Sequence, residues 1–349
     1  MSAGSKPVVI TRLDEGRQGA WDKFVRNAPA GSFFHLSGWR DVIEGTLGHR
    51  AHYLLAETAS GEILGVLPLI HLHSRLFANA LISNAFCVHG GPLGRSIPVE
   101  RALTQAADSL AAELGVDYLE YRNGGEPPDG WIARPGLYAG FRKSIFADPE
   151  RNLAAIPRKQ RAMVRKAIKL GLSSELDEGT DRFYRLYSES LRNLGTPVLP
   201  HRYFAALKRQ FGPACEILIV SARRTPLAGV MSFRFGREIL PYYGGGGADA
   251  RTFAANDFMY WEVMRRACLG GCDIFDFGRS KIGTGSYEFK RHWGFVPAPL
   301  AYCYRLLRID AAPDINPLNP KFRLLIAAWK RLPLAIANAL GPHLARNLG

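Results

Sequence analysis

The sequence predicts an α/β (α+β) protein built from two copies of one unit, each a mixed sheet flanked by helices. Three self-similarities predict it. Residues 52–70, "HYLLAETASGEILGVLPLI", and residues 216–235, "EILIVSARRTPLAGVMSFRF", each read as strand, polar turn, strand. Gly65-Val66 and Gly229-Val230 lie 164 residues apart. "LGVDYLEYR" (114–122) matches "LGGCDIFDFG" (269–278), so Asp117 falls on Asp273 and Glu120 on Asp276 at an offset of 156. Between these anchors the glycines of "HGGP" (89–92) correspond to those of "YGGGG" (243–247).

In chain order each copy reads helix, helix, strand, strand, strand, helix, strand. Apolar runs bounded by polar turns give the strands. The segments 99–114 and 255–269 give the helix that follows each glycine cluster. The first copy is expected over 1–145 and the second over 175–305. Residues 146–174 form a basic linker helix between them, and residues 306–349 a basic amphipathic tail.

The linker stretch "RNLAAIPRKQRAMVRKAIKLGLSS" (151–174) holds seven Lys or Arg residues and no acid. Pro157 suits a first helical turn and Gly171 a stop. Arg158, Arg161, Arg165 and Lys169 fall on one stripe, with Met163, Val164, Ala167 and Ile168 on the opposite one. A solvated linker helix is one reading. A helix facing phosphates beside the substrate cleft is the other, and the lack of acids favours it, because a merely soluble helix mixes signs.

Composition bounds the function. With 47% hydrophobic and 22% charged residues, the chain buries a substantial core, and bulk disorder is excluded. Its net charge of +14 points to anionic company: RNA, nucleotide-bearing substrates or an anionic lipid surface. No DNA partner is expected. The five cysteines show no CxxC pair, so they read as small apolar packers in a reducing compartment. His71-x-His73, with His49 and His52 near in sequence, lacks the carboxylate or Cys that would complete a metal set, and no metal is expected. The N-terminus has no signal-peptide run, and no window approaches the roughly 20 apolar residues of a membrane span. A cytoplasmic location is expected, with peripheral contact on the inner face of the cytoplasmic membrane.

The glycines Gly244, Gly245, Gly246 and Gly247 precede a helix from about Asn256, with Asn256 or Asp257 as its cap. Exposed amides followed by a helix N-terminus make an anion site. A glycine-rich strand end needed only for turning is the alternative. No Walker motif and no GxGxxG opening a strand–helix unit is present, which argues against a nucleotide fold of either kind. In the first copy Pro92 removes a donor from "HGGP", so the second copy is the better ligand site.

The stretch "DIFDFGRSKIGTGSYEFKRHWGF" (273–295) resembles the closing motif of the FemAB family, the aminoacyl transferases of peptidoglycan bridge formation. "IPRKQRAMVRKAIKLGL" (156–172) resembles that family's basic helix, and "FFHLSGWRDVIEGTLGHRAHYLLAE" (33–57) its opening. The nearest look-alike is the FemAB-like branch of PEP-CTERM/exosortase exopolysaccharide systems, and "WKRLPLAIANALGP" (329–342) is similar to that branch's tail. The resemblance implies two tandem GNAT-like acyl-CoA N-acyltransferase domains. It implies acyl or aminoacyl transfer to an amine of a phosphate-bearing or lipid-linked envelope precursor. No tightly bound cofactor is implied. The donor would be an aminoacyl-tRNA or, as in transferases of the BioF type (a BioF2-like acetyltransferase domain), an acyl-CoA. A second enzyme reading is an acyl-CoA-dependent acetyltransferase acting on a lipid-linked sugar. A different class is a non-catalytic RNA- or membrane-binding protein.

Transfer from an activated ester needs juxtaposition, oxyanion stabilisation and proton removal. No nucleophile elbow or Ser-His-Asp order is present, so direct attack is expected. The resemblance places Lys290 near an acceptor phosphate or the reacting carbonyl, with Arg291 beside it. Arg279 and Lys281 follow a strand end, where α/β sites lie. Asp276, between Phe275 and Phe277 on a buried strand, is a candidate proton acceptor; its repeat counterpart Glu120 suggests a shared structural bond instead. Tyr243 and Tyr242 adjoin the glycines, and a phenol bonding the substrate competes with plain packing. Arg161 and Arg165 of the basic helix, and His35, Trp39 and Arg40 of the first copy, are further binding candidates. The tail pairs an apolar face with Lys321, Arg323, Lys330 and Arg331, so residues 318–345 are expected to meet an anionic membrane surface or to dock on the second sheet.

Overall fold

The computed structural model describes residues 8–74, 78–122, 127–312 and 323–349. The chain forms two compact units. One comprises residues 1–136, 300–313 and 347–349, the other 137–299 and 314–346.

The first unit opens with strand β1 (Val9–Arg12) and helices α1 (Gln18–Asn27) and α2 (Gly38–Leu47). Strands β2 (Arg50–Glu57), β3 (Ile63–Ser74), β4 (Ala78–Ser83) and the short β5 (Leu93–Gly94) follow, then α3 (Ile97–Leu114) and β6 (Tyr118–Tyr121). Helix α3 ends at Gly115, whose φ of 62° suits a C-terminal glycine. The ladder runs antiparallel from β1 through β4, and β4 then pairs β6 in parallel. Val99, Leu103, Ala107, Leu110 and Ala111 give α3 a buried stripe at helical spacing. It packs on Leu54, Leu67, Leu69, Leu81 and Leu119 of the sheet.

β7 (Ile132–Ser144) leaves the first unit at Gly136, where φ is +83°, and enters the second. There follow α4 (Pro149–Ala155), α5 (Arg158–Lys169), β8 (Ser173–Leu176), α6 (Asp181–Leu194), α7 (His201–Phe211), β9 (Cys215–Ala222), β10 (Thr225–Phe235) and β11 (Glu238–Gly246). α8 (Ala255–Leu269), β12 (Ile274–Lys281), α9 (Gly285–His292) and β13 (Ala298–Leu306) come next. The tail forms α10 (Arg323–Arg331) and α11 (Leu334–Ala345). Lys321 lies outside the described residues.

The repeat is realised with one strand more than expected, opening each copy before its two helices: β8, α6, α7, β9, β10, β11, α8 and β12 retrace β1, α1, α2, β2, β3, β4, α3 and β6. The ladder of the second unit is antiparallel from β8 to β11, and β11 then pairs β12 in parallel. The sixth strand of each sheet is exchanged. β7, which follows β6 in the chain, pairs antiparallel with β12. β13, which follows β12, pairs antiparallel with β6.

Helices cover both faces of the second sheet. Successive glycines of β11 show it: a Cβ on Gly244 or Gly246 would meet Tyr260 or Asn256 of α8, and one on Gly245 or Gly247 would meet Ser190 or Glu189 of α6. Side chains along a strand alternate faces, so α8 and α6 lie on opposite sides. α5 packs beside α8, and the tail helices pack on α6.

Candidate active site

The second unit's sheet opens between its two parallel strands. The β11–β12 ladder holds only Glu238 with Ile274 and Ile239 with Phe275. β11 runs on through Leu240–Gly246 without a ladder partner on that side, while β12 pairs with β7 along its other edge from Ile274 to Lys281. A free strand edge offers amides and carbonyls to an extended ligand. In the first unit β4 keeps three pairs with β6, at Ala80, Leu81 and Ile82, and ends one residue later.

β12 carries a bulge between Asp276 and Arg279. Gly278 sits in it at φ +65°, a conformation that excludes a side chain cheaply only in glycine. Asp276 Oδ1 accepts the Gly278 amide at 2.7 Å. Lys290, on α9, reaches back over the same bulge. Its Nζ donates to the carbonyls of Phe277 at 2.6 Å, Arg279 at 3.0 Å and Gly278 at 3.4 Å. An ammonium has three protons, and these three carbonyls take them. Burial lowers the Lys290 pKa to about 7, against the pull of Asp276. Burial, with Glu238 near, raises that of Asp276 to about 6. Helix α9 is set by Thr284, whose hydroxyl accepts the Tyr287 amide at its N-terminus.

The repeat carboxylate bonds likewise. Glu120 accepts Arg122 Nε at 2.6 Å, with both side chains buried, and Arg122 donates on to the Cys87 carbonyl. In each copy the acid bonds the residue two positions on: a side chain in the first unit, a backbone amide in the second.

The glycine run is packed closely. A Cβ on Gly245 would lie 2.7 Å from Ser190 Cβ, and one on Gly246 2.5 Å from Ala250 Cβ. Gly244, Gly245 and Gly246 pair with Val230, Gly229 and Ala228 of β10. Gly247 N donates to the Leu227 carbonyl at 2.9 Å, and Ala248 N to the Glu189 carboxylate at 3.1 Å. Glu189 puts negative charge at that turn, which disfavours an anion there. Helix α8 begins at Ala255, with Ala254 as N-cap and no side-chain cap bond. The expected caps are otherwise placed: Asp257 Oδ1 accepts Trp293 Nε1 at 3.0 Å, and Asn256 Oδ1 is buried without a hydrogen-bond partner. Asp257 puts a carboxylate in the first turn and takes its own backbone amide, so the amides of Ala255 and Asn256 and the helix dipole are what this end offers a ligand.

Helix α5 supplies cations beside that end of α8. Lys166 Nζ donates to the Thr252 carbonyl at 2.9 Å, pinning α5 to the turn before α8. Arg158, Lys159, Arg165 and Lys169 are exposed, and Arg161 bonds the Ala154 carbonyl. Val164 and Ala167 are buried as the stripe requires, whereas Ile168 is exposed.

The remaining candidates scatter. Arg279 and Lys281 stack over the Tyr138 ring at 4.6 and 5.4 Å. Arg291 pairs with Glu288 on the α9 surface. Tyr243 shares a 3.0 Å hydroxyl contact with Tyr203 among Tyr187 and Phe204, on the α6 face, away from the α8 face that Phe289 of α9 shares with Tyr260. Trp39 is fully buried in the first unit, its Nε1 donating to the Phe33 carbonyl. His35 is buried there too, which lowers its pKa to about 4, and Arg40 bonds the Leu13 carbonyl. The first unit also has a cavity of about 440 Å³ lined by Arg17, Lys23, Phe24, Glu62 and Arg95. Its two arginines are held by Glu57 and Glu62.

Two residues escape the sequence reading. Tyr260 of α8 stands edge-on to Phe277 of β12, and its hydroxyl is the atom nearest the missing Cβ of Gly244 on β11, so it covers the opening between the strands. Burial raises its pKa to about 12, which keeps it a donor. Lys143 of β7 lies over the Phe295 ring, and burial lowers its pKa to about 8. Nothing marks either in the sequence, because a helix tyrosine and a strand lysine look like packing and solvent.

The parting of the parallel strands, the uncapped helix after them and the cations alongside are the geometry of one class. The acetyltransferase (GNAT) domain family matches residues 158–291, so this part of the chain is an acyltransferase domain of GNAT type, and the fold as a whole is that of two GNAT-like domains. Among solved structures, that of FemX is similar over 91% of this chain and 100% of its own, at 15% identity and a TM-score of 0.68. A tandem GNAT protein of the clavulanic acid biosynthesis pathway is similar over 88% and 100%, at 12% identity and a TM-score of 0.54. The L-PGS structure from Bacillus licheniformis is similar over 95% and 100%, at 12% and 0.53. At these identities the likeness is one of fold. None of the curated proteins compared with the chain matches it in sequence. Among the described residues no helix is long and apolar enough to cross a membrane.

Proposed function

We propose that the protein is a FemAB-type N-acyltransferase that moves an acyl or aminoacyl group from an activated carrier to an amine of a cell-envelope or exopolysaccharide precursor. The observation that carries this reading is the parting of β11 and β12 after two residue pairs. The donor lies along the free edge of β11, with its carrier phosphates at the α8 N-terminus and the α5 cations Arg165 and Lys169. Strand amides aimed at the donor carbonyl stabilise charge as it develops. The acceptor amine attacks that carbon directly. A C–N bond forms, the carbon–sulfur or carbon–oxygen bond to the carrier breaks, and the amine proton leaves to the Asp276 carboxylate. Tyr260 Oη protonates the departing carrier atom. Lys290 acts as a positioning residue that holds the β12 bulge.

The GNAT match makes an acyl-CoA the first donor to test, with an aminoacyl-tRNA as the second. The test offers each donor with amine-bearing nucleotide sugars and lipid-linked sugars, and detects the amide by mass spectrometry. Wild-type protein yields product with one donor, and Arg165→Glu with Lys169→Glu raises the KM for that donor. Failure to bind or turn over either donor overturns the reading, and charge-proportional RNA binding without turnover would favour an adaptor.

A further inference from the structure

The tail helices dock inside out. α11 turns Ala337, Gly341 and Ala345 inward, and a Cβ on Gly341 would lie 3.0 Å from the Val198 amide nitrogen. Its large apolar side chains face away: Ile336, Leu340 and Leu344 recur every four residues, at 46%, 49% and 36% exposure. α10 sets Ile326 against Gly195 of the α6 C-terminus, while Leu324 and Leu325 stand 81% and 67% exposed. Leu194, beside Gly195, is exposed as well. A helix that serves only to pack on its own protein buries its leucines and shows polar residues to water. Here the small residues make the intramolecular seam, which leaves the leucines for something else.

The charge says what. Residues 315–349 contain no Asp or Glu, and Arg323, Lys330 and Arg331 are exposed on the same pair of helices. A second copy of this surface would bring cations against cations with no counter-charge. An anionic lipid headgroup layer supplies that charge, with an apolar layer beneath it for the leucines. We propose that α10 and α11 are the face by which the protein docks on an anionic bilayer.

The consequence reaches the site. Asn338 of α11 donates to Ser188 Oγ of α6, and two residues on Ser190 faces Gly245. α6 alone therefore lies between the docking face and the glycine end of β11. The proposal does not rest on the acyl-transfer reading.

The test uses the full chain with sedimenting vesicles of phosphatidylcholine alone or mixed with phosphatidylglycerol. Wild-type protein sediments with the mixed vesicles and stays free of the neutral ones, and added salt releases it. Ile336→Glu with Leu340→Glu, both at exposed positions, abolishes sedimentation while the thermal melt stays unchanged. Lys330→Gln with Arg331→Gln weakens binding about 10- to 30-fold. Wild-type protein that ignores mixed vesicles, or either double variant binding as well as wild type, overturns the proposal. Self-association in the ultracentrifuge that these variants abolish, without vesicle binding, overturns it in favour of a second copy.

Discussion

Lys290 and Asp276 hold the same bulge of β12 without forming an ion pair. Lys290 Nζ binds the carbonyls of Phe277, Gly278 and Arg279, while Asp276 Oδ1 binds the Gly278 amide between them. Their protonation therefore sets the geometry of the strand that borders the opening.

The first prediction is a narrow bell in kcat/KM against pH. Asp276 must be ionised to take a proton, so activity rises through about pH 6. Lys290 must be charged to fill three carbonyls, so activity falls as pH rises past about 7. Asp276→Asn removes the acid limb and lowers the rate about 10²- to 10⁴-fold. An unchanged rate would leave Asp276 with a structural role alone, holding the Gly278 amide as Glu120 holds Arg122 in the first unit.

Stability carries the same lysine with a definite sign. The Lys290 pKa is about 7 in the fold, against 10.5 for the ordinary side chain. Between those values the unfolded chain binds the extra proton, so this group's contribution to stability rises with pH there and is flat below about 7. Comparing urea midpoints of wild type and Lys290→Met at several pH values isolates it, since Lys143 titrates in both. The wild-type advantage should grow from pH 7 to 9, by at most about 1.4 kcal/mol per unit.

The glycine run separates volume from backbone freedom. None of Gly244–Gly247 has positive φ. Gly245→Ala and Gly246→Ala should each lose about 1–3 kcal/mol through overpacking, a Tm drop of about 2–4 °C per kcal/mol. Gly247→Ala meets nothing nearer than 3.3 Å and should melt as wild type does.

Tyr243→Phe removes one hydroxyl of the buried Tyr203 pair and should cost about 0.5–1.5 kcal/mol in a denaturant melt. With its ring on the α6 face, it should leave kcat/KM near wild type. Tyr260→Phe should lower kcat instead, with the melt little changed.

Much of this was legible residue by residue. The doubled anchors at Gly65 and Gly229, and at Glu120 and Asp276, announced the repeat, because strand pattern and turn chemistry are local. Pro157 and Gly171 marked the ends of the basic helix for the same reason. The glycines were ambiguous in principle: absence of a Cβ serves a ligand's approach and a neighbour's equally, and only Ser190 and Ala250 in place show the second. The tail's amphipathicity was visible, but not that Ala337 and Gly341 would form the seam and Leu340 the outside.

The sequence by itself determined two copies of an α/β unit, the order of their helices and the strands that follow, a basic helix, and a carboxylate at one equivalent place in each; the structure sets that helix inside the second unit, which begins at residue 137, and not between the two. Tertiary structure alone decided that β7 completes the second sheet and β13 the first. It also decided where β11 leaves β12, and that Lys290 turns inward onto three carbonyls. Periodicity along a chain fixes which face of an element is apolar. Which distant strand or carbonyl meets that face depends on non-local pairing, and either sheet could accept either apolar strand until the chain is folded.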